Sequence, residues 1–159
     1  MSDDTDATTS ACDVLIIEDD PTQGEELAGY LRRAGLKVEA TTSASLAIHT
    51  IGELRPKVAI IDYNLPDLDG VTVAERVRRL SPGTALIVMS GRIDGLSDVT
   101  LASTGIFAFM NKPLSLGAVR QAVLKAIRTT AQTGLPPLVP KKKFFTLAFV
   151  GFGPTRSGF

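Results

Sequence analysis

The chain predicts an α/β domain: a parallel β-sheet with helices covering both faces. Three observations lead there. Short runs rich in branched apolar residues, such as VLII at 14–17 and VAII at 58–61, are continuous rather than alternating, as strands buried on both faces are. Segments with helical spacing alternate with these runs, so that the chain reads as repeated βα units. Reactive polar residues stand where the strand-like runs stop: Glu18 and Asp19, then Asp62, Ser90 and Lys112.

The first strand runs from Val14 to Ile17, with Cys12 as a small residue opening it rather than a redox group. Pro21 suits the first turn of a helix, Leu27, Tyr30, Leu31 and Ala34 recur at helical spacing, and Gly35 stands where a left-handed cap would end it. A weaker strand at Leu36 to Ala40 precedes a helix from Ser45 to Leu54, whose apolar positions include Leu46, Ile48 and Ile51. His49, the single histidine, falls on that helix and away from the strand ends.

Val58 to Ile61 is a strong strand ending at Asp62, and NLPDLDG leads into a helix over Val71 to Leu80. Ala85 to Met89 is the next strand, ending at Ser90, followed by a polar, weakly marked fourth helix from Ser97 to Ser103. The last strand, Ile106 to Met110, runs into Lys112 and Pro113. Ser115 can cap a fifth helix that continues to Thr129 on Val119, Val123, Leu124 and Ile127. Beyond Thr130 come three prolines at 134–140, a basic triplet at 141–143 and five of the seven phenylalanines, without a period of 2 or 3.6. The organisation read from this is a flexible amino terminus at 1–11, one domain at 12–130, and a tail at 131–159 to which no structure is assigned.

At 159 residues and 44% hydrophobic the chain can bury one full core, with no space for a second domain of ordinary size. Seventeen basic and seventeen acidic residues cancel, which removes a whole-molecule electrostatic argument for nucleic acid or an anionic membrane. The amino terminus, MSDDTDATTSA, lacks the features of a signal peptide, and no apolar run reaches spanning length. A cytoplasmic protein without a disulfide is the expectation.

Right-handed crossovers make all the strands of such a sheet point the same way, so their carboxyl ends share one rim. The polar groups are therefore expected to converge. Clustered carboxylates supply hard oxygen ligands to Mg²⁺, and without a cation their mutual repulsion raises some carboxyl pKa. An acid after Ile17 can also simply start a helix, where negative charge is favourable; that accounts for Asp20 but not for Asp62.

The pieces VLIIEDDP, VAIIDYNLPDLDG, LIVMSG and GIFAFMNKP, in this order from Cys12 to Thr130, closely resemble the receiver domains of two-component response regulators. The resemblance implies a flavodoxin-like doubly wound parallel sheet of five strands in the order 2-1-3-4-5 with five helices. It implies that Asp62 is the phosphoacceptor and that Mg²⁺ is held by Asp19, Asp62, the backbone carbonyl of Asn64 and, through a water, Glu18. Ser90 and Lys112 would contact the phosphoryl oxygens, and Gly91 would leave room for the donor. Phe109, three residues before the lysine, would be the aromatic switch that follows Ser90, without the hydroxyl of the commoner tyrosine.

The implied partners are a sensor histidine kinase or histidine phosphotransfer protein and a downstream protein target. A homodimer through the fourth helix, fifth strand and fifth helix is a further implication. The chain would catalyse only its own phosphorylation and dephosphorylation. The span after Thr130 leaves no room for a helix-turn-helix, so a stand-alone receiver without direct DNA binding is expected. Two alternatives stand beside it. A degenerate receiver would bind partners independently of phosphorylation, and an aspartate-nucleophile phosphohydrolase would need an Asp-x-Asp pair where this chain has Asp62-Tyr63-Asn64.

Overall fold

The computed structural model describes residues 12–91 and 105–133. In chain order the elements are β1 (Val14–Ile17), α1 (Pro21–Arg33), β2 (Val38–Thr41), α2 (Ala44–Leu54), β3 (Val58–Asp62), α3 (Gly70–Leu80), β4 (Ala85–Ser90), β5 (Ala108–Asn111) and α4 (Leu116–Thr133). The helix predicted at 97–103 lies outside the described residues, as do the amino terminus at 1–11 and the tail read at 131–159 apart from residues 131–133, which continue α4; α4 is therefore the fifth of the predicted helices. All strand pairings are parallel and the five-stranded order is β2-β1-β3-β4-β5, the flavodoxin-like arrangement expected from the sequence.

Strand side chains alternate between the two faces. Ile16, Ile60, Met89 and Met110 pack against Leu27 and Leu31 of α1 and Val119 and Val123 of α4. Ile17, Ile61, Val88 and Phe109 face the other way, into a second cluster with Ala47 and Ile51 of α2 and Val73 and Val77 of α3. The central strands β1, β3 and β4 are buried along their whole length. Burying each such branched side chain contributes about 1.5–3 kcal/mol. That explains why their sequence is continuous rather than alternating.

Helix ends follow local chemistry. Asp20 caps α1 by accepting from the Thr22 and Gln23 amides at 2.9 and 3.3 Å, and Pro21 occupies the first turn. At the other end Gly35, at φ 92°, donates to Arg32 O, and Leu36 donates to Leu31 O, which closes the helix with a left-handed glycine as predicted. Ser115 accepts from the Ala118 amide at 3.3 Å and so caps α4. Boundaries move by up to four residues from the sequence reading; β2 begins at Val38 rather than Leu36, β5 at Ala108 rather than Ile106, and α4 ends at Thr133 rather than Thr129.

Candidate functional site

Backbone hydrogen bonds carry the sheet past its strand ends and set the rim. Glu18 N donates to Thr41 O at 3.0 Å, Tyr63 N to Met89 O at 2.7 Å, and Lys112 N to Ser90 O at 2.8 Å. Alternation then decides which way each side chain projects. Glu18, Asp62 and Lys112 continue the rows of Ile16, Ile60 and Met110, on the face covered by α1 and α4.

There the side chains meet. Lys112 Nζ lies 2.7 Å from Glu18 Oε2 and 3.0 Å from Asp62 Oδ2. Both acids are 3% exposed, so these are charge-assisted contacts in a largely dry setting. One ammonium faces two buried carboxylates, and a third acid, the exposed Asp19, completes a group whose ligand oxygens all lie within 4.8 Å of one another. Burial pushes the Glu18 carboxyl up to about 7; the Lys112 hydrogen bond opposes this and the neighbouring Asp62 reinforces it. Burial also pulls the Lys112 ammonium down, but its hydrogen bonds to Glu18 and Asp62 outweigh that and hold it above the ordinary lysine value. Burial thus sets the direction at Glu18, whereas the two neighbouring acids set it at Lys112.

Asp20, which the sequence places at the start of a helix, is the cap of α1. Asn64 sits on the loop after β3, with its amide donating to Asp62 Oδ1 at 3.0 Å. Ser90 is buried at the end of β4, paired in register with Asn111. Phe109 is fully buried in the cluster on the α2 and α3 face, the opposite side of the sheet from Lys112. Among the described residues, a methyl group built on Gly91 meets nothing within 4 Å. His49 is exposed on α2, and Cys12 is buried, with burial raising its thiol pKa.

Two positions were not anticipated from the sequence. Gln23, held by Asp20 Oδ2 at 3.0 Å, turns its amide oxygen to 3.5 Å from Lys112 Nζ. Gly70 lets α3 start against the loop: a β-carbon there would stand 2.5 Å from Tyr63 Cα and 3.1 Å from Asp62 O. The glycine closing NLPDLDG was the available signal for the second. Beside the lysine, a cavity of about 520 Å³ is lined by Gln23, Leu27, Met89, Lys112, Pro113 and Leu116 among others.

The donor set suits a hard divalent cation. Among the described residues, three carboxylates of low exposure or close approach are balanced by only one ammonium, and oxygen is the sole ligand type on offer. Magnesium fits these residues.

Comparisons with known proteins agree with this architecture. CseB of Streptomyces coelicolor, a transcriptional regulatory protein, is 32% identical over 114 residues, covering 72% of this chain and 48% of that protein. YvcP of Bacillus subtilis, described as a transcriptional regulatory protein, is 25% identical over 144 residues, covering 91% of this chain and 60% of YvcP. The chain thus spans about half the length of such relatives. A CheY-like receiver domain from Methanospirillum hungatei superposes with a TM-score of 0.69 at 22% identity, over 75% of this chain and 95% of that one, and shows the shared fold. The description "response regulator receiver domain" matches residues 14–124. A parallel sheet in this strand order, an acidic rim closed by a lysine from the last strand, and a family match across most of the chain lead to one conclusion: the chain belongs to the response regulator receiver domain family.

Proposed function

We propose that Asp62 accepts a phosphoryl group from a phosphohistidine on a sensor kinase or histidine phosphotransfer protein, in the presence of Mg²⁺. The observation that carries this reading is the Lys112 ammonium bridging Glu18 and Asp62, with Asp19 alongside. An Asp62 oxygen attacks phosphorus in line, the P–N bond to the imidazole breaks as the P–O bond forms, and the histidine side chain departs. Lys112 would exchange its contact with Asp62 for a phosphoryl oxygen, and Ser90 would donate to another. Asp19, Asp62 and the Asn64 carbonyl would hold the ion directly and Glu18 through a water. When bound, Mg²⁺ supplies positive charge that offsets the carboxylates and the phosphoryl oxygens.

The signal passes through protein contacts, with Phe109 as the residue that follows Ser90 and β5 with α4 as part of the output face. Among the described residues no helix is long and apolar enough to cross a membrane. The beryllofluoride-activated NtrC4 receiver is described as a dimer, and it covers 73% of this chain at 25% identity with a TM-score of 0.66. A phosphorylation-dependent homodimer belongs to the same proposal here.

Incubation with Mg²⁺ and a small acyl phosphate, followed by intact mass measurement, tests the reading. One added phosphate on the wild type and none on Asp62→Asn is expected. Absence of labelling on the wild type, or equal labelling of both, would overturn it.

A further inference from the structure

The loop from Tyr63 to Asp69 connects the proposed phosphoacceptor to α3, and it is held at both ends by backbone contacts. Gly70 N donates to Tyr63 O at 2.8 Å, Asn64 and Asp69 form an isolated antiparallel bridge, and Leu65 is buried. Its middle has a different attachment. Asp67 Oδ2 accepts from Ser45 N at 3.1 Å and from Ser45 Oγ at 3.0 Å, across 22 residues of chain.

Ser45 is in the first turn of α2, where an amide has no partner within the helix. The cap residue Ser43 already serves the Leu46 amide at 3.1 Å, so the Ser45 amide depends on an acceptor from outside. Asp67 supplies it, with a negative charge placed at the positive end of the helix. Those two bonds from Ser45 hold the Asp67 carboxyl below the usual aspartate value.

We infer that Asp67 is a positioning residue: by clamping the loop crest to α2 it holds Asn64, and with it the Asn64 carbonyl, in register with Asp62 for the divalent cation. The inference rests on the phosphoacceptor reading above, because it assigns the loop's rigidity to the ion site. Asp67 is not among the acids grouped around Lys112, so its action is through the loop rather than on the ion. By reciprocity, occupancy of the ion site tightens the Asp67 contact with α2. The first turn of that helix thereby becomes sensitive to the state of Asp62.

Calorimetric titration with Mg²⁺ of the full chain, wild type beside Asp67→Ala and Asp67→Asn, tests it, with amide hydrogen exchange as a second readout. Asparagine retains an acceptor for the Ser45 amide and removes the charge. The expected result is a roughly three- to tenfold weaker Mg²⁺ affinity for Asp67→Ala with recovery to within about twofold in Asp67→Asn. Mg²⁺ should also slow exchange at the Ser45 amide in the wild type and leave it unchanged in Asp67→Ala. Wild-type affinity in Asp67→Ala, or equal loss in both variants, would overturn the clamp while leaving the phosphoacceptor reading intact. A wild type that binds no Mg²⁺ would overturn both.

Discussion

Lys112 Nζ donates to Glu18 Oε2 at 2.7 Å across 94 residues of chain, which ties the end of the last strand to the end of the first. The same ammonium reaches Asp62, so a single cation joins three strand ends. Removing it leaves two acids buried together. Because Lys112 is partly exposed, part of this cost is screened. Lys112→Ala is expected to destabilise the metal-free protein by about 2 kcal/mol in urea denaturation, with Mg²⁺ restoring more stability to the variant than to the wild type. An unchanged midpoint in metal-free buffer would contradict the role of the ammonium as the main counter-charge.

The Glu18 carboxyl predicts how stability depends on pH. Its folded pKa, about 7, is above the ordinary 4.5. The stabilising contribution of the neutral form is therefore complete below the unfolded value and is lost as pH rises through the folded one. Metal-free wild type should lose stability between about pH 5 and pH 8, by on the order of 3 kcal/mol at most. Glu18→Gln should flatten that decline. A wild-type profile that rises over this window would have the wrong sign.

Gly70 is expected to tolerate no side chain. The 2.5 Å approach to Tyr63 Cα involves backbone, which cannot rotate away as a side-chain tip could. Gly70→Ala should cost about 1–3 kcal/mol in thermal or urea unfolding and, by displacing the loop that carries Asn64, also lower the rate of phosphoryl uptake. Wild-type stability and uptake in this variant would show that the loop yields without consequence.

At the opposite end of the sheet, Thr84 Oγ1 donates to Pro56 O at 2.7 Å and lies 2.8 Å from Ser81 Oγ, all of it buried. Thr84→Val strands the carbonyl and the serine hydroxyl. A loss of about 1–3 kcal/mol is expected, with Thr84→Ser close to wild type. Phosphoryl uptake at Asp62 should be unchanged in both, since this network closes the start of β4, at the far end from the rim. Slower labelling in a folded Thr84→Val protein would contradict that separation.

Much of the architecture was legible in local patterns. Continuous branched runs such as VAII specify doubly buried strands because only a sheet covered on both faces removes every side chain from water. The stops at Asp62 and Lys112, the proline after Asp20 and the glycine after Ala34 each act on their own few residues, so a linear reading finds them. The segment read as a helix at 97–103 carries too few apolar residues for a firm boundary.

What a one-dimensional pattern cannot state is distance between segments. Asp20 is taken by the first-turn amides of α1, while Glu18, projecting inward with the strand alternation, meets a lysine 94 residues away. That Gln23 reaches toward the lysine, and that Asp67 closes on Ser45 of another helix, depends on how α1 and α2 lie against the sheet. By itself the sequence determined the fold class, the strand ends and the residue types that arrive at the rim. Tertiary structure decided the partners, because hydrogen bonds and ion pairs act over about 3 Å and only packing brings remote residues that close.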